Sequence, residues 1–168
     1  MLKNALKDFY FQFHTKQHYF LCHDILEEAW KTNPNYNKND AVVSLILIAT
    51  GSYHYRRHNY VGAHKSFNKA LKVIENYDSA INIGLDIQPY KRLLIGLIKA
   101  AKKEKSFEPI HLPLTDKMEQ IILEKYPNYV LTYYKIEDDY IIDHHLKRDR
   151  TEVEAARKRA LQARNRSV

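Results

Sequence analysis

Residues 41–59, AVVSLILIATGSYHYRRHN, constrain the fold of this chain more than any other stretch. From Val42 to Ala49 apolar side chains run round nearly the whole circumference of a helix, so neighbours must cover it on several sides. Its β-branched content would also suit a buried strand, but the run continues to Arg57 and its length favours helix. Gly51 interrupts it at a cost of about 1 kcal/mol relative to alanine. Close approach of a second helix would account for that glycine.

The rest of the chain supplies partners for such a helix. Leu2, Leu6, Phe9 and Phe13 recur at helical spacing, giving a first helix over 2–13 that bends or breaks near 14–16. A longer helix over 17–31 follows. The asparagine-rich loop 32–40 contains Pro34, which blocks continuation, and Asn39 or Asp40 can cap the next helix. Helices are expected over 60–77, 87–103 and 115–126, the last with Thr115 as N-cap. The inner face of the first of these is read as Val61, Phe67, Ala70, Leu71 and Ile74, with Gly62 and Ala63 allowing a tight crossing. Residues 104–114 are proline-punctuated and should wrap across the bundle in extended form. Residues 129–143, YVLTYYKIEDDYIID, read either as a short hairpin around 137–139 or as irregular chain. The expected fold is all-α: a compact orthogonal or antiparallel bundle of about five to seven helices. One helical domain would span 1–146, with a basic helix or tail over 147–168.

Charge separates those two parts. The formal net charge is +7, yet residues 144–168 hold eight Lys/Arg against three acids. The body is therefore nearly neutral, which argues against a basic docking surface over the whole domain. A single cysteine, Cys22, excludes an internal disulfide, fits a reducing compartment, and reads as buried and inert. The first ten residues carry Lys3, Lys7 and Asp8 among their apolar side chains, unlike a signal peptide, and no apolar run could span a bilayer. The expectation is a cytoplasmic protein with no membrane partner.

The chemistry-bearing stretch is 14–31, HTKQHYFLCHDILEEAWK. Phe20, His23, Glu27 and Trp30 share one helical face, apolar at both ends and ionisable between. His23 and Glu27, four apart, can meet directly.

Several of these residues carry a family resemblance. Phe20, His23, Asp24, Glu27, Glu28 and Trp30 match an aromatic followed by His-(Glu/Asp)-x-x-Glu-Glu-x-Trp. Leu45, Ala49, Tyr53, His54, Arg57, Asn59, Gly62 and Ala63 match a second block, an apolar helix leading to Arg-x-Asn-x-x-Gly-Ala. On these two blocks the first hundred residues or so resemble domain-of-unknown-function family 309, most of all its short cytoplasmic members from low-GC Gram-positive bacteria. The resemblance implies a compact all-helical fold and carries no activity with it.

Three functional readings follow. The preferred one is a non-enzymatic binding or interaction protein with a polar pocket formed by His23, Glu27, Trp30, Tyr53, Arg57 and Asn59. Arg57 would be its anion partner, and a protein partner or homo-oligomer would suit it. The second is a metal-dependent hydrolase with His23, Glu27 and His54 as ligands, a metal ion being the one cofactor these residue types point to. It lacks both the His-Glu-x-x-His motif and the paired Glu-x-x-His motifs of di-iron bundles. The third is a nucleic-acid-associated protein using Arg157, Lys158, Arg164 and Arg166 on phosphates, aided by a patch of Arg56, Arg57, Tyr53 and Tyr55; an acidic protein partner would suit the same tail.

Overall fold

A computed structural model describes residues 2–143 together with residues 158–159 and 161–162. Its elements in chain order are α1 (Leu2–Tyr10), a π-helical turn (Phe11–Lys16), α2 (Tyr19–Lys31), α3 (Ala41–Arg56), α4 (Tyr60–Ile74), a 3-10 turn (Ile81–Ile83), α5 (Ile87–Lys102), α6 (Asp116–Lys125) and α7 (Asp139–Ile142). This is an all-α bundle of about seven helices, at the upper end of the five to seven expected. Among the described residues no strand occurs, only isolated bridges joining Ala80 to Leu85 and Leu85 to Leu114.

α3 is the centre. It packs on α2 on one side and α4 on the other, and α4 in turn packs on α5. Val42, Leu45, Ile46, Ile48, Ala49, Tyr53 and Tyr55 are all buried, as expected of a helix covered all round. Ser44 and Ser52, also buried, are satisfied within the bundle: Ser44 Oγ donates to Ala70 O at 2.9 Å and Ser52 Oγ to Ile48 O at 2.7 Å. Gly51 is where α4 comes closest, for a Cβ there would lie 2.5 Å from Phe67 Cε1.

Of the caps the sequence indicates, Thr115 is made and the one before α3 is not, while Asn59 adds a further cap. Thr115 Oγ1 accepts from Met118 N at 3.2 Å to open α6, and Asn59 Oδ1 accepts from Gly62 N at 3.0 Å to open α4. Gly62 is therefore needed beside its own cap, with Asn59 Nδ2 2.6 Å from a built Cβ, rather than at a helix crossing. Val61, expected inside, is 80% exposed, because the capped first turn of α4 points it to solvent. Asp40 precedes α3 but does not cap it with its side chain; its carboxylate accepts from Trp30 Nε1 at 3.0 Å and Asn37 N at 2.8 Å.

The hairpin alternative for 129–143 is not realised. This stretch pairs with residues 14–17 instead of with itself, and only its end coils into the single turn of α7. The 104–114 segment does cross the bundle without regular structure, burying Phe107, Ile110 and Leu112.

Two glycines in helix interiors make opposite predictions. Gly51→Ala drives a methyl into the buried Phe67 ring, and overpacking of this kind costs about 1–3 kcal/mol, enough to outweigh the gain in helix propensity. Gly96 on α5 has nothing within 4 Å of its built Cβ. Gly96→Ala therefore stabilises by up to about 1 kcal/mol. Urea unfolding of both variants checks the pair; a stabilised Gly51→Ala would contradict the close approach of α4.

Candidate functional site

The site begins with the wide turn between α1 and α2. Phe9, Tyr10, Phe11, Phe13 and His14 are all buried, more apolar rings than one face of a regular helix can place inward. A π-helical turn shifts the register and lets Phe11 stack on Tyr126 at 4.1 Å while Phe13 packs on Tyr19 at 4.8 Å. Gln17 ends the turn in the left-handed region, φ 54°, its N–H donating to Gln12 O.

That turn then binds two distant segments. Leu112 N–H donates to His14 Nε2 at 2.8 Å, so Nδ1 carries the ring proton and donates to Tyr129 Oη at 2.7 Å. Thr132 N–H donates to His14 O at 3.1 Å, and Thr132 Oγ1 donates to Thr15 O at 3.0 Å. The Gln17 amide takes both sides of the chain further on, donating to Tyr134 O at 2.8 Å and accepting from Ile136 N at 3.1 Å. Residues 129–136 are thus strapped along residues 14–17.

Burial, with the neighbouring His111 adding to it, pushes the His14 pKa down to about 3. Its geometry agrees, since a ring nitrogen accepting from a backbone N–H cannot also hold a proton.

The strap continues into α7, whose first turn is capped by Asp138 Oδ1 accepting from Tyr140 N at 3.0 Å. This brings Ile141 O to the end of α3, where Arg56 Nη2 donates to it at 3.2 Å and Arg56 Nη1 donates to Gln17 O at 2.5 Å. Arg56 is 8% exposed, its guanidinium lies 4.6 Å from the Tyr19 ring centroid, and its Nε has no hydrogen-bond partner among the described residues. No carboxylate touches it among the described residues. Burial lowers its pKa, the ring of Tyr19 and more distant Asp143 opposing that only in part. The adjoining Arg57 does find an acid: Nε donates to Asp143 Oδ1 at 2.9 Å. Between them lies a cavity of about 390 Å³ whose polar walls are Arg56, Arg57, His58, Ser106, Lys135, Glu137 and Asp143. Phe107, Ile136 and Ile142 supply its apolar part.

Of the six residues read from the sequence as a pocket, only Arg57 lines this cavity. His23 and Glu27 meet as expected, Nε2 to Oε2 at 3.0 Å, but on the outer side of α2 with 31% and 33% of their side chains exposed. Asp24 at 3.2 Å from His23 and Lys31 at 2.6 Å from Glu27 extend the ladder along the same helix, and the hydrogen bond to Glu27 raises the Lys31 pKa. Trp30 holds the loop after α2 through Asp40 and an edge contact with Tyr36 at 5.0 Å. Tyr53 is buried between Phe20, 5.4 Å away, and the Arg57 guanidinium at 5.3 Å. Asn59 caps α4 and faces His54 Nδ1 at 3.3 Å.

The metal set needs correction. His54 turns to Asn59 and, partly buried beside Arg57, has a lowered pKa; it does not join His23 and Glu27. Among the described residues no group of three or more His, Cys, Asp or Glu side chains is placed to hold a metal ion. The surface patch of Arg56, Arg57, Tyr53 and Tyr55 is also corrected: Arg56 and both tyrosines are buried, and Tyr55 Oη donates to Lys105 O at 2.7 Å. In the basic tail Lys158 lies on an exposed helical stretch, while Arg157, Arg164 and Arg166 fall outside the described residues. Cys22 is buried as expected, its Sγ 3.4 Å from Phe9 O, and burial pushes its thiol pKa up.

The geometry defines a helical protein in which a π-turn straps a distal segment over the end of the central helix. Residues 6–66 match the family model described as "Domain of unknown function (DUF309)", and over that stretch the chain is similar to this family. The match takes in the π-turn, α2, α3 and Arg56, but stops short of the strap. A relative, the uncharacterized protein YpuF of Bacillus subtilis (strain 168), is 28% identical over 172 residues, covering 99% of both chains. No solved structure matches. Among the described residues no helix is long and apolar enough to cross a membrane.

His14 makes a pH prediction. In the unfolded chain it titrates near 6.5, in the folded one near 3, so between these values the unfolded state binds more protons and stability falls as pH drops. From pH 7.5 to pH 5 this one ring removes about 2 kcal/mol. Urea unfolding across that range should show the loss, and a His14→Gln chain, less stable at pH 7.5, should show a flatter profile. Equal slopes in the two chains would contradict the assignment.

Proposed function

We propose that this chain is a non-enzymatic, cytoplasmic binding protein, and that its ligand is a small oxyanion seated in the cavity between α3 and the strap. The observation that carries this reading is the Arg56 guanidinium, buried against backbone carbonyls, with no carboxylate in contact and Nε unpaired among the described residues. A buried cation without a counter-charge is costly. An incoming carboxylate or phosphate would offset that cost and give Nε an acceptor, and the fork geometry of a guanidinium suits both.

The neighbours favour the same chemistry. Arg57, His58 and Lys135 add cationic or ionisable donors to the wall, against Glu137 and Asp143. Asp143 occupies Arg57 as a ligand carboxylate would, so it competes with the ligand for that side chain. The volume is within the usual range for small-molecule sites, about 300–1,000 Å³. Ser106 and His58 also line the cavity, but no hydrogen bond joins them among the described residues, and the reading preferred is that the site holds its ligand.

Titration calorimetry with inorganic phosphate tests this. The expected result is saturable one-to-one binding that Arg57→Gln weakens about tenfold and Asp143→Asn strengthens several-fold. Absence of saturable binding, or equal affinity in all three chains, would sink the reading.

A further inference from the structure

A second cavity lies where the start of α1, the 3-10 turn and the start of α6 meet. It encloses about 450 Å³, shares no lining residue with the Arg56 cavity, and is mainly apolar. Leu6 and Met118, both buried, form its floor. Gly84, held at φ 80° after the 3-10 turn, keeps the floor low: a Cβ there would sit 2.5 Å from Met118 Cε. Ile81 and Leu2, 69% and 36% exposed, stand at the rim without apolar cover. Ile121 completes the greasy wall.

The charged groups that line this cleft are of one sign, Asp116 and Glu119 of the first turn of α6 lying outside the lining. Lys3 and Lys117 line it and no acid does, although the body of the chain is close to charge balance. Neither lysine makes an ion pair among the described residues. The first turn of α1 carries no acidic side chain and adds the positive end of its helix dipole. An apolar trough with two cations at its edge complements a molecule with one apolar tail and one anionic head. The trough is of small-ligand size, whereas a stable protein interface buries about 1,200–2,000 Å² in all.

We infer that this cleft is a binding site for a medium-chain aliphatic carboxylate, with the tail over Met118 and Leu6 beside Ile81 and the carboxylate between Lys3 and Lys117. The site is independent of the oxyanion cavity and stands or falls without it.

Decanoate and decanol are suitable probes, followed by calorimetry on the full chain. Decanoate is expected to bind saturably at one site, at least tenfold more tightly than decanol. Ile81→Glu, at an exposed position that leaves the fold alone, should weaken decanoate at least tenfold. The Lys3→Gln, Lys117→Gln double variant should weaken decanoate about tenfold and leave decanol unchanged, and Arg57→Gln should change neither. Lack of saturable decanoate binding, equal binding of the two probes, or full binding by Ile81→Glu would overturn the inference. So would a sedimentation result in which the native chain is a dimer and Ile81→Glu a monomer, since the cleft would then be covered by a second copy.

Discussion

The turn at His14–Gln17 is the constraint on which the rest of the molecule depends. By widening into a π-helix, it buries rings on more than one side and leaves the backbone groups of residues 14, 15 and 17 free to bond outside the helix. His14 alone ties the turn to Leu112 and Tyr129, 98 and 115 residues further along the sequence. Such long-range hydrogen bonds are affordable only because the neighbouring core already fixes both ends: Phe9, Tyr10 and Phe13 on one side, Ile110 and Leu112 on the other. Secondary ties act in parallel at α6, where Lys125 reaches Asp8 at 2.7 Å and Tyr126 also donates to Asp8.

Arg56 is a consequence of that arrangement. The left-handed Gln17 turns its carbonyl to the last turn of α3, and the strap delivers Ile141 O to the other side of the same guanidinium. Carbonyl dipoles solvate a cation well enough to keep it charged, but they do not neutralise it. Arg57, one residue on and about 100° round the helix, emerges where Asp143 can meet it. Two adjacent arginines therefore have different electrostatic situations on the wall of one cavity, Arg57 paired with Asp143 and Arg56 touched by no carboxylate among the described residues. The proposed oxyanion site rests on that contrast, since an ordinary surface ion pair contributes little by itself.

How much of this the sequence disclosed depends on the range of the interaction. The circumferential apolar pattern of residues 42–49 was enough to place α3 at the centre, and Gly51 pointed correctly to its closest neighbour. Thr115 was legible as a cap because capping is decided within three residues; Asn59, read as a helix end and a pocket residue, was not. His23 and Glu27 were rightly put within reach of each other, yet periodicity could not say how deep their face lies; Asp24 and Lys31, beside them on the same helix, were the signal that it is a half-exposed one. The Tyr/Val/Ile content of 129–143 resembled strand because the segment does bond in extended form, but to Thr15 and Gln17, over a hundred residues away. Arg56 and His14 owe their roles to such distant partners, and no local spacing marks them.

The most direct test is nuclear magnetic resonance of the arginine side chains in the full protein, following the Arg56 Nε–H signal as phosphate is added. If the buried guanidinium is short of an anion, that signal is protected from solvent exchange and moves saturably with phosphate. If it exchanges as fast as a surface arginine, or stays put while only lysine signals shift, the strapped turn does not build a binding site around it.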